Sequence, residues 1–251
     1  MKIEDITGRV AVVTGGSNGI GAAACRDLAE AGAQVVICYN SGEERARALL
    51  AELPGKGHRI QQLDQTDAAS VARLAADVGS AYGGKAHILV NSAGFTRPVP
   101  HANLDALTDE IFDSVLVSNA RGPFSVIRAM TPLLKAGGRS VIVNVSSIAG
   151  VLGSGSSIAY AASKAAMDNY TMALARVLGP EIRVLAVLPA GVNTGFVSNR
   201  TEEQLRQQAQ RTPLKLMCEP EDVSRTIMAC ITHLTHTTGA RILIDGGLHL
   251  H

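Results

Sequence analysis

Seven short apolar runs punctuate the 251-residue chain, each set off from the next by a longer stretch of helical pattern. They are Arg9–Thr14 (RVAVVT), Ala33–Cys38 (AQVVIC), His58–Asp64, His87–Asn91, Ser140–Ser146 (SVIVNVS), Ile182–Pro189 and Arg241–Gly246. Most are continuously apolar. A strand wetted on one face alternates polar and apolar residues, whereas one covered on both faces need not, and such strands belong to parallel sheets clad in helices. The intervening segments Ile20–Ala31, Glu43–Leu53, Ala68–Tyr82, Thr108–Lys135, Ser157–Leu178 and Glu221–Leu234 read as those helices. The alternation predicts an α/β chain of Rossmann type: a doubly wound, seven-stranded parallel sheet with helices on both faces and right-handed crossovers. No linker, composition shift or long repeat interrupts it, so residues 1–251 are expected to form one domain.

The hydrophobic fraction of 46% suffices for a sizeable core, and the net charge of +1 provides no field for nucleic acid or an anionic membrane. No run approaches the length of a membrane span, and Met1 to Arg9 carries mixed charges where a signal peptide would be apolar. Cys25, Cys38, Cys218 and Cys230 stand apart, without CxxC pairs, which favours a reducing cytoplasm. The seven histidines are scattered, and no metal site is expected.

Directly after the first run comes TGGSNGIG, Thr14 to Gly21, opening a helix of small residues. Here Gly15 can make the tight turn, Gly19 lets backbone approach a pyrophosphate, and Gly21 lets the helix pack on the sheet. The helix N-terminus then offers free N–H groups and a partial positive charge to phosphates. The order is GxxxGxG, not GxGxxG, and no GK[ST] follows, so the loop is no P-loop.

Farther along, SIAYAASK places Tyr160 and Lys164 four residues apart, on one helix face, among residues of little bulk. A surface pair is the common meaning of that spacing. A phenol with a pKa near 10 is nevertheless poorly matched to neutral pH, and a nearby ammonium favours phenolate.

TGGSNGIG, NSAG (Asn91–Gly94) and Tyr160-x-x-x-Lys164, in this order and spacing, resemble the short-chain dehydrogenase/reductase family. The likeness runs from Arg9 to Leu248 and includes PEDV (Pro220–Val223) and TGARILIDGG (Thr238–Gly247). It implies hydride transfer between a nicotinamide and a carbonyl or secondary alcohol. Tyr160 would be the general acid/base, and Lys164 would lower its pKa and bind the nicotinamide ribose. Ser147 would hold the substrate oxygen, with Ser146 its immediate competitor. Asn119 would bind a water that relays protons from the lysine; alone, it would read as a kink or a buried amide.

For the cofactor the resemblance implies contacts from Gly15, Ser17, Asn18, Gly19, Ile20 and Gly21, then Asp64 at the adenine and Gln65 beside it. Asn91, Ala93 and Gly94, Val192 and Thr194, and Tyr160 and Lys164 themselves complete the set. Three positions depart from the family pattern: Ser92, Leu185 and Ala190. The second strand ends at Tyr39, Asn40 and Ser41, where an acid would select NAD. Without that acid NADP(H) is expected to be preferred and NAD(H) also used, the discrimination being modest for want of a fixed cation.

The expected substrate pocket comprises Phe95, Thr96, Ile148, Val151, Leu152 and the segment after Thr194, with Arg97 and Arg121 able to attract an anionic group. Residues 195–213 are polar and read as a substrate lid or a solvated surface helix. A 3-oxoacyl thioester reductase stands first among the activities the family implies, and a sugar, polyol or other secondary-alcohol dehydrogenase second. A non-catalytic dinucleotide sensor comes third, because the serine, tyrosine and lysine are all present. A homotetramer is expected through pairing of the two long helices.

Overall fold

The computed structural model describes residues 3–197 and 201–250. Strands β1 (Val10–Thr14), β2 (Gln34–Tyr39), β3 (Arg59–Gln62), β4 (Ile88–Asn91), β5 (Ser140–Val145), β6 (Ile182–Pro189) and β7 (Arg241–Ile244) form one sheet. Their order is β3-β2-β1-β4-β5-β6-β7, with every pairing parallel. The helices are α1 (Gly19–Glu30), α2 (Glu43–Glu52), α3 (Ala68–Ala81), α4 (Asp109–Leu116), α5 (Gly122–Gly137), α6 (Ala149–Leu152), α7 (Ile158–Leu178), α8 (Glu202–Gln210) and α9 (Pro220–Thr232).

Side chains leaving β1 on alternate faces explain the continuous apolar runs. Ala11 and Val13 join Leu28 of α1 and Ile227 of α9 in one core, while Val10 and Val12 join Leu74 of α3 and Met130 of α5 in the other. Neither face is wetted, so neither needs polar residues. The edge strands β3 and β7 are half-exposed and shorter than their sequence patterns suggested.

The winding direction reverses between β1 and β4. Thr14 pairs with Asn91 at their carboxyl ends, so the glycine loop and the NSAG loop leave the sheet side by side. Ligands of open α/β sheets bind at such a switch point.

The expected helix Thr108–Lys135 is one path with a defect. Between α4 and α5, Val117–Arg121 winds as a π-turn, and Gly122 N donates to Val117 O. An extra residue per turn rotates the following side chains, a device frequent at functional sites. Asn119 sits within this turn, fully buried. The short helix α6 was not apparent in the sequence. Helix α8 forms within the expected lid segment, and Ser198 to Arg200 of that segment lie outside the described residues.

Candidate active site

Close approach shapes the glycine loop. Gly15 turns the chain at φ 65°. A Cβ on Gly21 would lie 2.3 Å from Gly15 O, so α1 can begin this near the turn only with glycine there. Asn18 caps α1 by backbone conformation alone, its side chain making no cap hydrogen bond, and the first turn carries no acid. The first-turn N–H groups are thus left to an external anion. Thr14 Oγ1 accepts from both Ser92 N and Ala93 N, at 3.1 Å each, and ties the NSAG loop to β1. Asp64 accepts through Oδ1 from Thr66 N (2.8 Å) and Thr66 Oγ1 (2.7 Å). The Thr66 hydroxyl and amide hold its carboxyl below the usual range, a fitting acceptor for an adenine amine. These features suit a dinucleotide.

Several expected cofactor residues also brace the fold. The Gln65 amide is buried and donates to Ser118 O (2.8 Å) and Ala93 O (3.5 Å), joining the π-turn to the NSAG loop. The Asn91 amide donates within the sheet to Asn144 Oδ1 (2.9 Å), and Asn144 donates on to Thr171 Oγ1 (2.9 Å). The Tyr39 ring packs in the core with Leu49 and Ala46, only 9% exposed, and burial followed by Glu43 pushes its phenol up. Beyond it, Asn40 and Ser41 are exposed at the strand end.

A cation does reach that corner, contrary to the expectation that none is fixed there. A Cβ built on Gly42 would fall 2.5 Å from an Arg45 guanidinium nitrogen and 2.9 Å from Ser17 Oγ. The exposed Arg45 therefore folds back over the start of α2 beside the glycine loop. Among the described residues it makes no salt bridge. Arg45 escaped the sequence reading because it lies six residues past the strand end, and only the helical turn brings it back.

The catalytic candidates converge from β5 and α7. Ser157 caps α7, its hydroxyl accepting from Tyr160 N at 3.2 Å, so Tyr160 and Lys164 fall on the first two turns. Lys164 is buried, and its Nζ donates to Val145 O at 2.8 Å and lies 5.7 Å from the centroid of the Tyr160 ring. Burial lowers the ammonium to about 8 while Asp168 opposes the shift. Tyr160 keeps partial exposure to the cleft, yet its surroundings are dry enough that burial pushes the phenol up to about 12, with the Ser147 hydroxyl pulling it down. Burial, not Lys164, is the largest influence on the phenol, and Ser147 is the group that lowers it. Ser147 is the serine beside the phenol. Ser146 faces the helix, donating to Lys164 O at 3.3 Å.

Asn119 does not reach Lys164. Its Oδ1 accepts from Phe95 N (2.8 Å), and its Nδ2 donates to Phe95 O (2.7 Å) and Ser163 Oγ (3.2 Å). The side chain pins the loop after NSAG to α7.

These residues open onto a cavity of about 560 Å³ that also takes in Asn18, Val192 and Thr194. Its wall differs from the aliphatic one expected. Ile148 belongs to it, but Ser154, Gly155 and Ser156 stand where Val151 and Leu152 were assigned. Thr96 is hydrogen-bonded to Ser156 at 2.5 Å. Phe196 lies with its ring centroid 6.0 Å from that of Tyr160 and closes the far side with Leu205 of α8. Arg97 stacks on Phe95, and Arg121 donates to Thr66 O at 3.0 Å, so neither faces the cavity. Among the described residues no cluster of His, Cys, Asp or Glu can hold a metal ion, and no helix is long and apolar enough to cross a membrane.

A parallel sheet with a glycine-cradled helix N-terminus at its switch point, and a serine, tyrosine and lysine at the adjacent strand ends, defines a nicotinamide-dependent oxidoreductase. Residues 15–249 match the family model described as enoyl-(acyl carrier protein) reductase. The chain is 37% identical to the provisionally named ketoacyl reductase 2 of the granaticin polyketide synthase from Streptomyces violaceoruber, covering 96% of each protein. It is 33% identical to the 3-oxoacyl-(acyl-carrier-protein) reductase FabG of Thermotoga maritima, covering 99% of each. Among solved structures, a dehydrogenase/reductase from Sinorhizobium meliloti 1021 superposes with a TM-score of 0.87 at 34% identity, covering 97% of this chain and 96% of that one. The chain belongs to the short-chain dehydrogenase/reductase family and is an oxidoreductase acting on CH–OH or C=O groups.

Proposed function

We propose that the chain is an NADP(H)-preferring carbonyl reductase whose substrate is a 3-oxoacyl thioester. The carrying observation is that Ser147, Tyr160 and Lys164 line one cavity, where burial favours the protonated phenol. Burial favours the protonated phenol, the form in which a general acid begins a reduction. The bound nicotinamide supplies the hydride. Ser147 donates a hydrogen bond to the substrate oxygen, Tyr160 passes its phenolic proton to that oxygen as charge develops there, and the buried Lys164 ammonium stabilises the phenolate left behind. Asn119, by holding Phe95, fixes the loop whose Gly94 lines the cavity.

The ketoacyl reductase names of two relatives support the thioester reading, as do the apolar Phe196, Val197, Leu205 and Leu248 on one side of an open cavity. A second reading has its own observation. The wall Ser154–Ser156 is polar, and a relative from Sphingobium indicum, 32% identical over 246 residues, is named a cyclohexadiene-diol dehydrogenase. Cyclic diols or sugars suit such hydroxyls. Arg45 with Ser17 supports preference for NADP(H), with NAD(H) used more weakly. The exposed Phe124 and Val177, on α5 and α7, support helix-paired assembly into a homotetramer, and the unpaired cysteines suit the cytoplasm. Following NADPH and NADH oxidation against short 3-oxoacyl thioesters, simple ketones and cyclic or sugar ketones tests the proposal. Turnover confined to the cyclic compounds would favour the second reading, and no turnover at all would leave the thioester proposal without support.

A further inference from the structure

Helix α7 carries a third ionisable group on the face that holds Tyr160 and Lys164. Asp168 follows Lys164 by one turn, as Lys164 follows Tyr160. It is only 3% exposed, and neither carboxylate oxygen has a hydrogen-bond partner. Buried polar atoms are nearly always satisfied, and a carboxylate kept dry without donors is costly unless a charge compensates it. The charged and titratable groups acting on it are few. Lys164 and Tyr170 come from α7 itself, Arg241 from β7, and the Ser146 hydroxyl approaches from β5 while donating to Lys164 O. The Tyr170 hydroxyl is likewise buried without a partner, and Asp168 adds to the burial that pushes it up, so Tyr170 supplies no compensating charge. The Ser146 hydroxyl, a neutral donor shared with Lys164 O at 3.3 Å, lowers the carboxyl but carries no charge. Arg241 acts on the carboxylate from an exposed position where water screens it, which leaves Lys164 as the buried cation, and the one bond of Lys164 is to a neutral carbonyl.

We propose that Asp168 is a positioning residue for the reaction: its buried carboxylate is the counter-charge that keeps the Lys164 ammonium protonated beneath Tyr160. This rests on the assignment of Lys164 to the reaction. Burial alone drives Lys164 toward the neutral amine, and an amine would neither stabilise a phenolate nor return a proton to it. Asp168 works against that drift; burial pushes the Asp168 carboxyl up in turn, and the Ser146 hydroxyl, Arg241 and Lys164 all pull it back toward the ionised form.

Asp168→Asn removes the charge at constant shape. In protein labelled with ¹³C-lysine, the Lys164 Cε titration, identified by its absence in Lys164→Arg, is expected to move to lower pH by roughly one unit. The alkaline limb of kcat for ketone reduction should move with it, and Asp168→Glu should return both toward wild type. If Asp168→Asn does not fold, Asp168→Glu and Asp168→Gln pose the same question at matched length. A Lys164 titration that stays in place in the neutral variant overturns the inference while leaving Lys164 in its role. A titration that moves while the kcat limb stays overturns the assignment of Lys164 to the reaction, and the inference with it.

Discussion

The Arg45 guanidinium and the α-carbon of Gly42 occupy one corner of the cleft, so closely that a methyl group on Gly42 would collide with the guanidinium at 2.5 Å. Ser17, from the glycine loop, borders the same point at 2.9 Å. A cation and a hydroxyl gathered past the end of β2, where an NAD-binding site would carry an acid, make a receptor for a phosphate on the adenosine ribose. Arg45→Ala is therefore expected to weaken NADP⁺ binding about tenfold, the scale of one charge-assisted hydrogen bond of ~1.5 kcal/mol, and to leave NAD⁺ binding unchanged. Titration calorimetry with the two dinucleotides reads both numbers. Equal losses for both would show that Arg45 does not sense the phosphate. Tyr39→Asp would be a poorer probe, because it would place a carboxylate among Leu49 and Ala46 and report mainly on stability.

Tyr160→Phe removes one hydroxyl and keeps the ring that Phe196 rests on. Ketone reduction should fall by roughly 10²–10⁴ while dinucleotide binding is retained, as expected on losing a positioned acid. In the wild type, turnover should decline as pH rises through about 8, where the buried Lys164 gives up its proton. Burial places the folded-state pKa of Lys164 below its ordinary value, so between pH 8 and the unfolded value the unfolded chain binds the extra proton. This group thus makes the fold more stable with rising pH over the window in which activity falls. A stopped assay beside a thermal-shift series across that window would show the opposite slopes, and parallel slopes would mean that the activity loss is merely unfolding.

The sheet was legible because parallel strands covered on both faces leave an unmistakable apolar signature; Val10 to Val13 carry it although alternate residues go to different cores. Chain-end motifs disclosed which loops meet, and the Thr14–Asn91 pairing brings those loops together. What the sequence did not disclose are the properties set by turns and by water. The π-turn at Asn119 has no composition of its own. Ser146 and Ser147 differ only in which way the strand end turns them. The acidity of Tyr160 depends on the dryness of a cavity whose walls come from stretches far apart in the chain, from Asn18 to Leu248, and spacing alone suggested the opposite shift. Arg45 was hidden for the same reason: its function depends on where a side chain folds back, not on its place in a motif.

Asn119 offers a test of the brace against the relay. Asn119→Ala deletes three hydrogen bonds and strands the N–H and C=O of Phe95 in a partly buried position. Unsatisfied groups of that kind cost about 1–3 kcal/mol each, so a stability loss of about 2–4 kcal/mol is expected in urea unfolding. Activity should fall with it. A variant of unchanged stability and crippled turnover would instead favour a direct part in proton transfer.

The last prediction concerns assembly. On α5 and α7, Phe124 is 39% exposed and Val177 69% exposed, although both helices otherwise bury their apolar residues against the sheet. Phe124 stands edge-on to Tyr170 with ring centroids 6.0 Å apart, so the two helices present a joint aromatic ridge. Two-fold pairing of such ridges is self-complementary, and a second two-fold contact closes a tetramer with no edge left open. Light scattering at micromolar concentration should give about four times the 26.1 kDa chain mass. Phe124→Glu should reduce that mass, because a charge on the ridge would face its own copy across the axis and have to be desolvated there. A wild-type mass of one chain would remove the proposed pairing, and a Phe124→Glu protein that stays tetrameric would place the interface on another face.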